Sequence, residues 1–494
     1  MQLALKRQRR AVLVAATAVS LFGAVGCNPT SVDPVPDPNN ASLVDVLNNP
    51  NTAQINALAV GVEASLRLGH TNNAPNNYMT GSLGREIIVL ASNEPRWWGE
   101  ILGTRGALSN NSFYSAGTYN GFARVIRAAQ IFRQSALTAI PAVLDAEQKQ
   151  GVLGFCDTYE ALAKLHMLNI MGENGIRIDV ADFLKPGKFT TGSAPALASI
   201  RQLLDQGASE LAKAGSDFNF PISIGYSGFD TPSTFLKFNR GLAARVSLYQ
   251  GNSTPGSSAQ FNAAALTAIG ASFYDVSAGA SLQVGPKITF NPSISGDQGN
   301  PYYQVPNTGP STLVTVPDNF TTQAEAGDLR LRKAVLRVAD PRTLGGITGK
   351  YDPNVYTSQT APIYIIRNEE LVLISAEAKV NMSDLTGAVA DINIIRAGAG
   401  GLPAYSGPVT QTALINEVLK QRRYSLFYEG HRWVDLRRLG RLNVTTNPDL
   451  ATGIVAPAQG ASPAQTLAYA TGKFKIFDRL PITFAEGSWD QSHP

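Results

Sequence analysis

The sequence predicts a mainly α protein in which antiparallel helix pairs stack into a superhelix beneath a loop-rich face. Three observations predict it. Apolar residues recur at helical spacing in one segment after another, as in Phe122, Val125, Ile126, Ala129 and Phe132 at i, i+3, i+4, i+7 and i+10. Two such segments, Glu369–Val380 and Leu385–Arg396, are joined by only Asn-Met-Ser-Asp, with Asp384 placed to cap the second, which makes a helix hairpin. Helix pairs of this kind bury their apolar faces on one another by stacking. Between Gly251 and Pro362 the helical period weakens and Gly, Pro, Ser, Asn and Thr crowd together, and an insertion of that kind is usually functional.

The chain starts with a basic stretch, Lys6, Arg7, Arg9 and Arg10, followed by an apolar run from Ala11 to Val25. The run is too short for a membrane span with these flanks and reads as a secretion signal over residues 1–26. It ends at Leu21-Phe-Gly-Ala-Val-Gly-Cys27, small residues before a cysteine in the manner of a bacterial lipobox, with Ala24 at the position where Leu is usual. Cys27 is therefore expected to carry lipid. Each buried methylene adds about 0.8 kcal/mol, so several acyl chains on one cysteine hold a protein to a membrane stably. Residues 28–40 contain Pro29, Pro34, Pro36 and Pro38 among Asp, Ser and Asn, an extended tether that completes the segment 27–40 before a single body over 41–494.

Residues 1–26 hold four of the 41 Lys and Arg and none of the 37 Asp and Glu, so the remainder of the chain is balanced. The basic pI belongs to the signal and argues for no nucleic-acid partner. Apart from Cys27 only Cys156 is present, so no internal disulfide is expected. The four histidines, His70, His166, His431 and His493, lie in no metal-ligand spacing, and neither metal nor cofactor is expected.

Further helical stripes run through Ile55, Leu58, Ala59 and Val60, through Phe155, Tyr159, Leu162 and His166, through Leu197, Ile200, Leu204 and Leu211, and through Phe235, Phe238, Leu242, Val246 and Tyr249. A helix is also read over Leu83–Leu90, stopped by Pro95. Within the insertion (251–362) Leu313-Val-Thr-Val alternates like a strand. A second loop-rich stretch covers 440–472, followed by an ordered closing segment from Phe474. In the C-terminal region (363–494) a helix over Leu414, Ile415, Val418, Leu419, Leu426 and Phe427 is broken at Gly430, and a short helix follows to Gly440. Glu429, His431, Arg432, Trp433, Asp435 and Arg438 sit at that corner. Read from the residues alone, this is a packing and salt-bridge knot.

The stretch Gln421-Arg-Arg-Tyr-Ser-Leu-Phe-Tyr-Glu-Gly-His-Arg-Trp-Val-Asp-Leu-Arg-Arg-Leu-Gly440 also closely resembles the C-terminal signature of the SusD/RagB family. Glu370–Lys379 is similar to that family's LxxAEA helix. Asp391–Gly400 is similar to its LNxxRxRAG segment, with Gly398 in place of the second Arg. Arg479–Glu486 is similar to its closing PIPxxE segment, with Thr483 where Pro is common. Ala161–Gly175 resembles the family helix that precedes a Gly-rich turn. The resemblance implies a SusD-like fold of tetratricopeptide-type helix pairs with a variable ligand face. It also implies a lipid-anchored outer-membrane protein, facing the cell exterior, that binds oligosaccharide or peptide and delivers it to a SusC-like TonB-dependent transporter. A helical-repeat scaffold or peptide-binding lipoprotein is the competing reading.

His431 between carboxylate and guanidinium groups has the makings of an acid–base unit. The same residues serve a locked helix corner better, and no catalytic residue is assigned. His166, on an apolar stripe, reads as a core histidine. The ligand signal is aromatic. Arg96, Trp97 and Trp98 fall in a loop after Pro95, and Tyr302 and Tyr303 stand among turn residues of the insertion. Indole and phenol faces stack on the C–H faces of sugars, and adjacent Trp side chains are costly to leave wet. Trp97, Trp98, Arg96, Tyr302 and Tyr303 are the expected ligand contacts, with Tyr78 and Trp489 behind them.

Overall fold

The computed structural model describes residues 43–103, 107–182, 184–254, 256–338, 341–344, 347–442 and 476–493. The expected signal, Cys27, the tether and most of the second loop-rich stretch lie outside these residues. One short helix, Leu43–Leu47, precedes the compact body, which runs from Asn49.

The body begins with α1 (Thr52–Thr71), whose N-terminus is closed by a capping box. The Gln54 amide donates to Asn51 Oδ1 at 2.9 Å, and the Asn51 amide donates to Gln54 Oε1 at 2.8 Å. There follow α2 (Asn76–Leu83), β1 (Ile88–Ala91), α3 (Arg96–Gly99), α4 (Phe113–Thr138), α5 (Ala146–Met171), the paired strands β2 (Ile176–Arg177) and β3 (Phe189–Thr190), and α6 (Ser193–Leu211). The middle of the chain holds α7 (Pro232–Ser253), α8 (Ser258–Gly270), β4 (Lys287–Ile288), β5 (Thr312–Thr315), α9 (Asn319–Thr322), β6 (Ala334–Leu336), β7 (Arg342–Leu344), β8 (Ile347–Gly349), β9 (Tyr351–Pro353) and β10 (Ile363–Tyr364). The last helices are α10 (Asn368–Asn381), α11 (Leu385–Gly398), α12 (Gln411–Ser425), α13 (Arg432–Arg438) and α14 (Phe484–Ser492).

The long helices stack in sequence. Helix α1 packs on α4, α4 on α5, α5 on α6, α6 on α7, α7 on α8, α8 on α10, and α10 on α11 and α12. Residue pattern decides depth in the stack. Helix α6 shows one apolar stripe, Ala196, Leu197, Ile200, Leu204 and Leu211, and lies at the outside. Helices α5, α7 and α10 are buried on almost every side, so their sequences carry weak amphipathicity and many small or apolar residues. Gly154 and Gly207 let α5 and α6 touch, since a Cβ on Gly154 would lie 2.8 Å from the Gly207 carbonyl oxygen. Phe132, Phe155, Phe220, Tyr159, Phe235 and Phe238 interlock as one aromatic layer between these helices, mostly edge to face. Asp384 caps α11 by accepting from the Gly387 amide at 2.9 Å.

Two local expectations differ from the structure. The apolar run after Leu83 is not helical. Helix α2 ends there, the chain turns through Arg85 at φ 56°, and Ile88–Ala91 pairs antiparallel with Thr312–Thr315, Ile88 opposite Thr315. Ile87, Ile88 and Val89 are β-branched and fully buried, and their strand partner lies far along the chain. Within 251–362, Ser258–Gly270 is a regular helix on α7, and the described remainder consists of short strands, the single turns Asn319–Thr322 and Leu329–Lys333, and loops.

The C-terminal corner locks the stack. Tyr428 at φ 65° and Gly430 at φ 88° turn the chain between α12 and α13. Asn77 Nδ2 holds the Tyr428 carbonyl at 3.0 Å, which fixes this unusual conformation for a tyrosine. Trp433 is fully buried, donates its indole N–H to the Phe477 carbonyl at 2.8 Å, and lies under the Arg437 guanidinium at 4.9 Å. Replacing Trp433 with Ala is expected to lower stability by about 3–5 kcal/mol, read as a fall in the urea midpoint at unchanged slope. An unchanged midpoint would show that the indole does not secure the corner.

Candidate functional site

A cleft of about 870 Å³ opens between the short 3-10 turn Leu329–Lys333, the loop after β9, the start of α10 and the loop at 280–283. Its floor is charged. Arg367 donates to Glu369 at 2.8 Å, to the Ser425 carbonyl at 2.9 Å, and to Glu429. Lys333 Nζ donates to the carbonyls of Tyr424 and Ser425 at 2.9 and 2.5 Å. Arg330 pairs with Asp328 at 2.8 Å and donates to Ser425 Oγ at 3.0 Å. Three cations thus converge on Ser425, the last residue of α12, where the helix C-terminus presents carbonyls and negative partial charge. Glu369 lies in the first turn of α10, where the helix dipole favours an acid.

The walls supply hydrogen-bonding groups. Tyr364 lies beneath the Arg367 guanidinium at 5.3 Å, and Tyr356 accepts from Asn77 Nδ2 at 3.0 Å. The rim carries the exposed Arg332 and Thr360, with Ser358 and Asn354 half-buried beside them. Burial pushes the Lys333 ammonium down to about 8, although Glu369 and Glu429 act the other way. Burial opposes ionisation of Glu369, yet Arg367 and Lys333 together hold it below the usual carboxylate range. Such a cleft can hold a hydroxyl-rich ligand by alternating cationic donors, carboxylate acceptors and hydroxyls. Both carboxylates are engaged by the one guanidinium of Arg367.

Behind this floor the same turn of α10 enters a buried ion network. Glu370 takes two hydrogen bonds from Arg245 at 2.6 Å. Arg422 and Arg438 bracket Asp435 at 2.7 and 2.9 Å, and Arg438 also binds Glu377 at 2.7 Å. Burial resists the charge on Glu370 and Asp435, but Arg245, Arg422 and Arg438 hold both carboxyls down at about 2. His431, 3.7 Å from Glu370, is lowered to about 4 by burial despite that carboxylate. His166 stacks on Phe122 with ring centroids 4.4 Å apart, and burial lowers it too.

The aromatic residues expected to stack on ligand lie elsewhere. Trp97, Trp98 and Tyr302 are buried, with 4, 9 and 1% exposure, and offer no free face. Trp97 packs edge-on against Tyr78 and Phe113 at 5.9 and 5.3 Å. Trp98 joins Ile88, Leu90, Leu102, Leu313 and Ile347 in a small core under the β1–β5 ladder. Tyr302 donates its hydroxyl to the His70 carbonyl at 2.7 Å. Tyr303 is half-buried against the main core, and Arg96 is held by Glu94 at 2.5 Å. The reason is the unread strand: pairing of β1 with β5 covers the Trp segment. Glu429 is both a corner residue and a wall of the cleft, while Trp433, Asp435 and Arg438 lie in the core. Sequence reading missed Arg332, Lys333, Tyr356, Tyr364 and Arg367. The run Arg330-Leu-Arg-Lys333 near the end of the insertion was the available signal.

Residues 302–488 match the model of the SusD family. A SusD superfamily protein of Bacteroides vulgatus shares 16% identity with a TM-score of 0.64, over 89% of this chain and 97% of that one. NanU of B. fragilis shares 16% with a TM-score of 0.59, over 85% and 95%. A candidate sugar-binding protein of Bacteroides vulgatus shares 17% with a TM-score of 0.59, over 89% and 96%. At these identities the likeness establishes the fold. No curated protein sequence is similar to the chain.

Below about pH 6.5 an unfolded chain protonates its histidines first, and below about pH 4 its carboxylates. His431 folded takes up its proton only near 4, and Glu370 and Asp435 only near 2. At these three groups the unfolded state therefore binds more protons across this window, and their contribution to stability falls as pH falls from about 6.5 to about 2, while Glu86 and Glu210, raised by burial to about 8 and about 7, act the other way at the upper end. Urea midpoints are measured over that range for wild type and Asp435→Asn. Asp435→Asn, in whatever stability it retains, should lose slope at the acid end. Parallel profiles for wild type and Asp435→Asn below about pH 4 would contradict the network's charge state.

Proposed function

We propose that the chain, a SusD/RagB family protein by its C-terminal region and its fold, is a cell-surface lipoprotein that binds oligosaccharide and passes it to a partner TonB-dependent outer-membrane transporter. The observation that carries the binding role is the cleft of about 870 Å³ with its rim of hydroxyl, amide and guanidinium groups. A sugar chain offers many hydroxyls, each able to donate and accept, and Arg332, Asn354, Ser358, Thr360 and Gln283 alternate those roles. The sugar-binding description given to one structural relative agrees with it. Glu369 and Glu429 share Arg367, an arrangement suited to holding hydroxyls rather than to moving protons, so the protein binds without cleaving. Anchoring through lipid on Cys27, on a tether of residues 28–40, would keep the body at the outer surface beside its transporter. No helix of the described residues is long and apolar enough to cross a membrane.

An open cleft of this kind gives modest affinity, on the order of micromolar to millimolar. Calorimetric and electrophoretic screening of neutral and acidic oligosaccharides and of short peptides should identify a glycan that binds and is recovered unchanged. Arg332→Ala and Tyr364→Ala should weaken it about tenfold each at unchanged melting temperature. Binding of peptides alone would favour the peptide-carrier reading, and normal binding by both variants would place the glycan outside the cleft. In cells, labelled palmitate should enter the protein and be lost in Cys27→Ala, together with membrane association.

A further inference from the structure

A second groove, of about 450 Å³, lies along α1 and differs in chemistry from the cleft. Val60, Ala64 and Leu68 line one side at i, i+4 and i+8, and Pro221, Ile222 and Ile288 line the other. Val60 and Leu68 are exposed, and so is Ile224 beside them at 77%. Helix α1 is thus apolar on its core face and again on this outer one.

Polar groups converge at the floor. Glu63 is partly buried, and its carboxylate accepts from the Ser223 amide at 3.2 Å. Among the described residues no cation forms an ion pair with it. The two cations that line the groove are otherwise engaged. Arg67 pairs with Asp297, donates to the Gln298 carbonyl at 3.0 Å and lies over the Phe290 ring at 4.7 Å. The Lys287 ammonium lies over the Tyr364 ring at 5.8 Å. Tyr159 and Tyr226 also line the groove, where their buried hydroxyls interact with each other. Burial raises both phenols, and the nearby Glu63 charge raises them further. Burial raises the Glu63 carboxyl as well, against its contacts with Ser223.

A partly buried carboxylate without a counter-ion is costly. An apolar groove with a few convergent polar groups is the usual form of a small-molecule site. The group that matches the Glu63 carboxylate in an apolar groove is a cation. We propose that this groove binds a primary ammonium carried on an apolar stem, with Glu63 as its counter-ion and Val60, Leu68, Ile222 and Ile288 around the stem. A guanidinium fits less well, because it pairs best with both oxygens of a carboxylate and one oxygen of Glu63 is held by Ser223. An alcohol leaves the charge unmatched, and a carboxylate is repelled.

The test uses the intact protein and does not depend on any glycan result. Binding of n-hexylamine, 1-hexanol and hexanoate is measured by calorimetry at neutral pH for wild type, Glu63→Gln and Ala64→Trp. Hexylamine should bind about tenfold or more tighter than hexanol, the scale of one charge-assisted hydrogen bond, with hexanoate weakest. Glu63→Gln should remove that preference while leaving hexanol unchanged. Ala64→Trp, an exposed helix position that fills the groove, should abolish binding of all three. Nα-acetyl-lysine methylamide distinguishes the source of the amine: binding with hexylamine's strength points to lysine side chains, and its absence to free alkylamines. Should Glu63→Gln fail to fold, acidification replaces it. Glu63 protonates before Asp297, which Arg67 holds low, so amine affinity should fall with pH while hexanol affinity stays level. No hexylamine binding, equal binding of hexylamine and hexanol, or full amine binding by Glu63→Gln overturns the proposal.

Discussion

The interaction on which the rest of the molecule depends is the buried ion network that joins α7, α10, α12 and α13. Arg245 on α7 holds Glu370 on α10, Arg422 on α12 holds Asp435 on α13, and Arg438 on α13 returns to Glu377 on α10. These groups are almost fully withdrawn from water. Such a network adds little net stability against an apolar core of the same volume, but removal of one partner strands a charge and costs about 3–5 kcal/mol. Its bearing is on geometry: in this relative placement of the four helices each of these charges meets an opposite one.

That constraint reaches the surface through one helical turn. Glu369 and Glu370 are neighbours at the start of α10, and they face opposite ways. Glu370 looks inward to Arg245, and Glu369 looks outward to Arg367 and Gln283 on the wall of the cleft. Glu429, one residue before the turn at Gly430, closes the same wall through Arg367. The corner that reads as structural in the sequence thus also shapes the candidate cleft. Core and site share residues, so the cleft is held rigid by the groups that hold the helices.

The helical stack was legible because its signal is local. Stripes such as Phe235, Phe238, Leu242, Val246 and Tyr249 declare a helix and its buried face within a few turns, and α7 carries all five in the core. The hairpin of α10 and α11 was legible for the same reason, down to its Asp384 cap. What was not legible depends on residues distant in sequence. Ile88–Ala91 is a strand only because Thr312–Thr315 pairs with it, and that pairing covers Trp98. Tyr302 is buried because His70 and Asn77, far upstream, meet its hydroxyl. The cleft could not be read at all, since Arg332, Asn354, Tyr364 and Glu429 converge only after the insertion folds back onto α10 and α12. The proposed recognition accordingly rests on charged and hydroxyl groups at the cleft rather than on indole faces.

The central claim is that ligand enters the cleft at the start of α10. Hydrogen–deuterium exchange of the intact protein, with and without a saturating oligosaccharide that binds it, tests this most directly. The account predicts slower exchange in residues 280–283 and 354–364, with the buried helices α7 and α10 unchanged. Protection confined to 92–103, with exchange at 354–364 unaltered, would contradict it and return the ligand face to the Trp97–Trp98 segment.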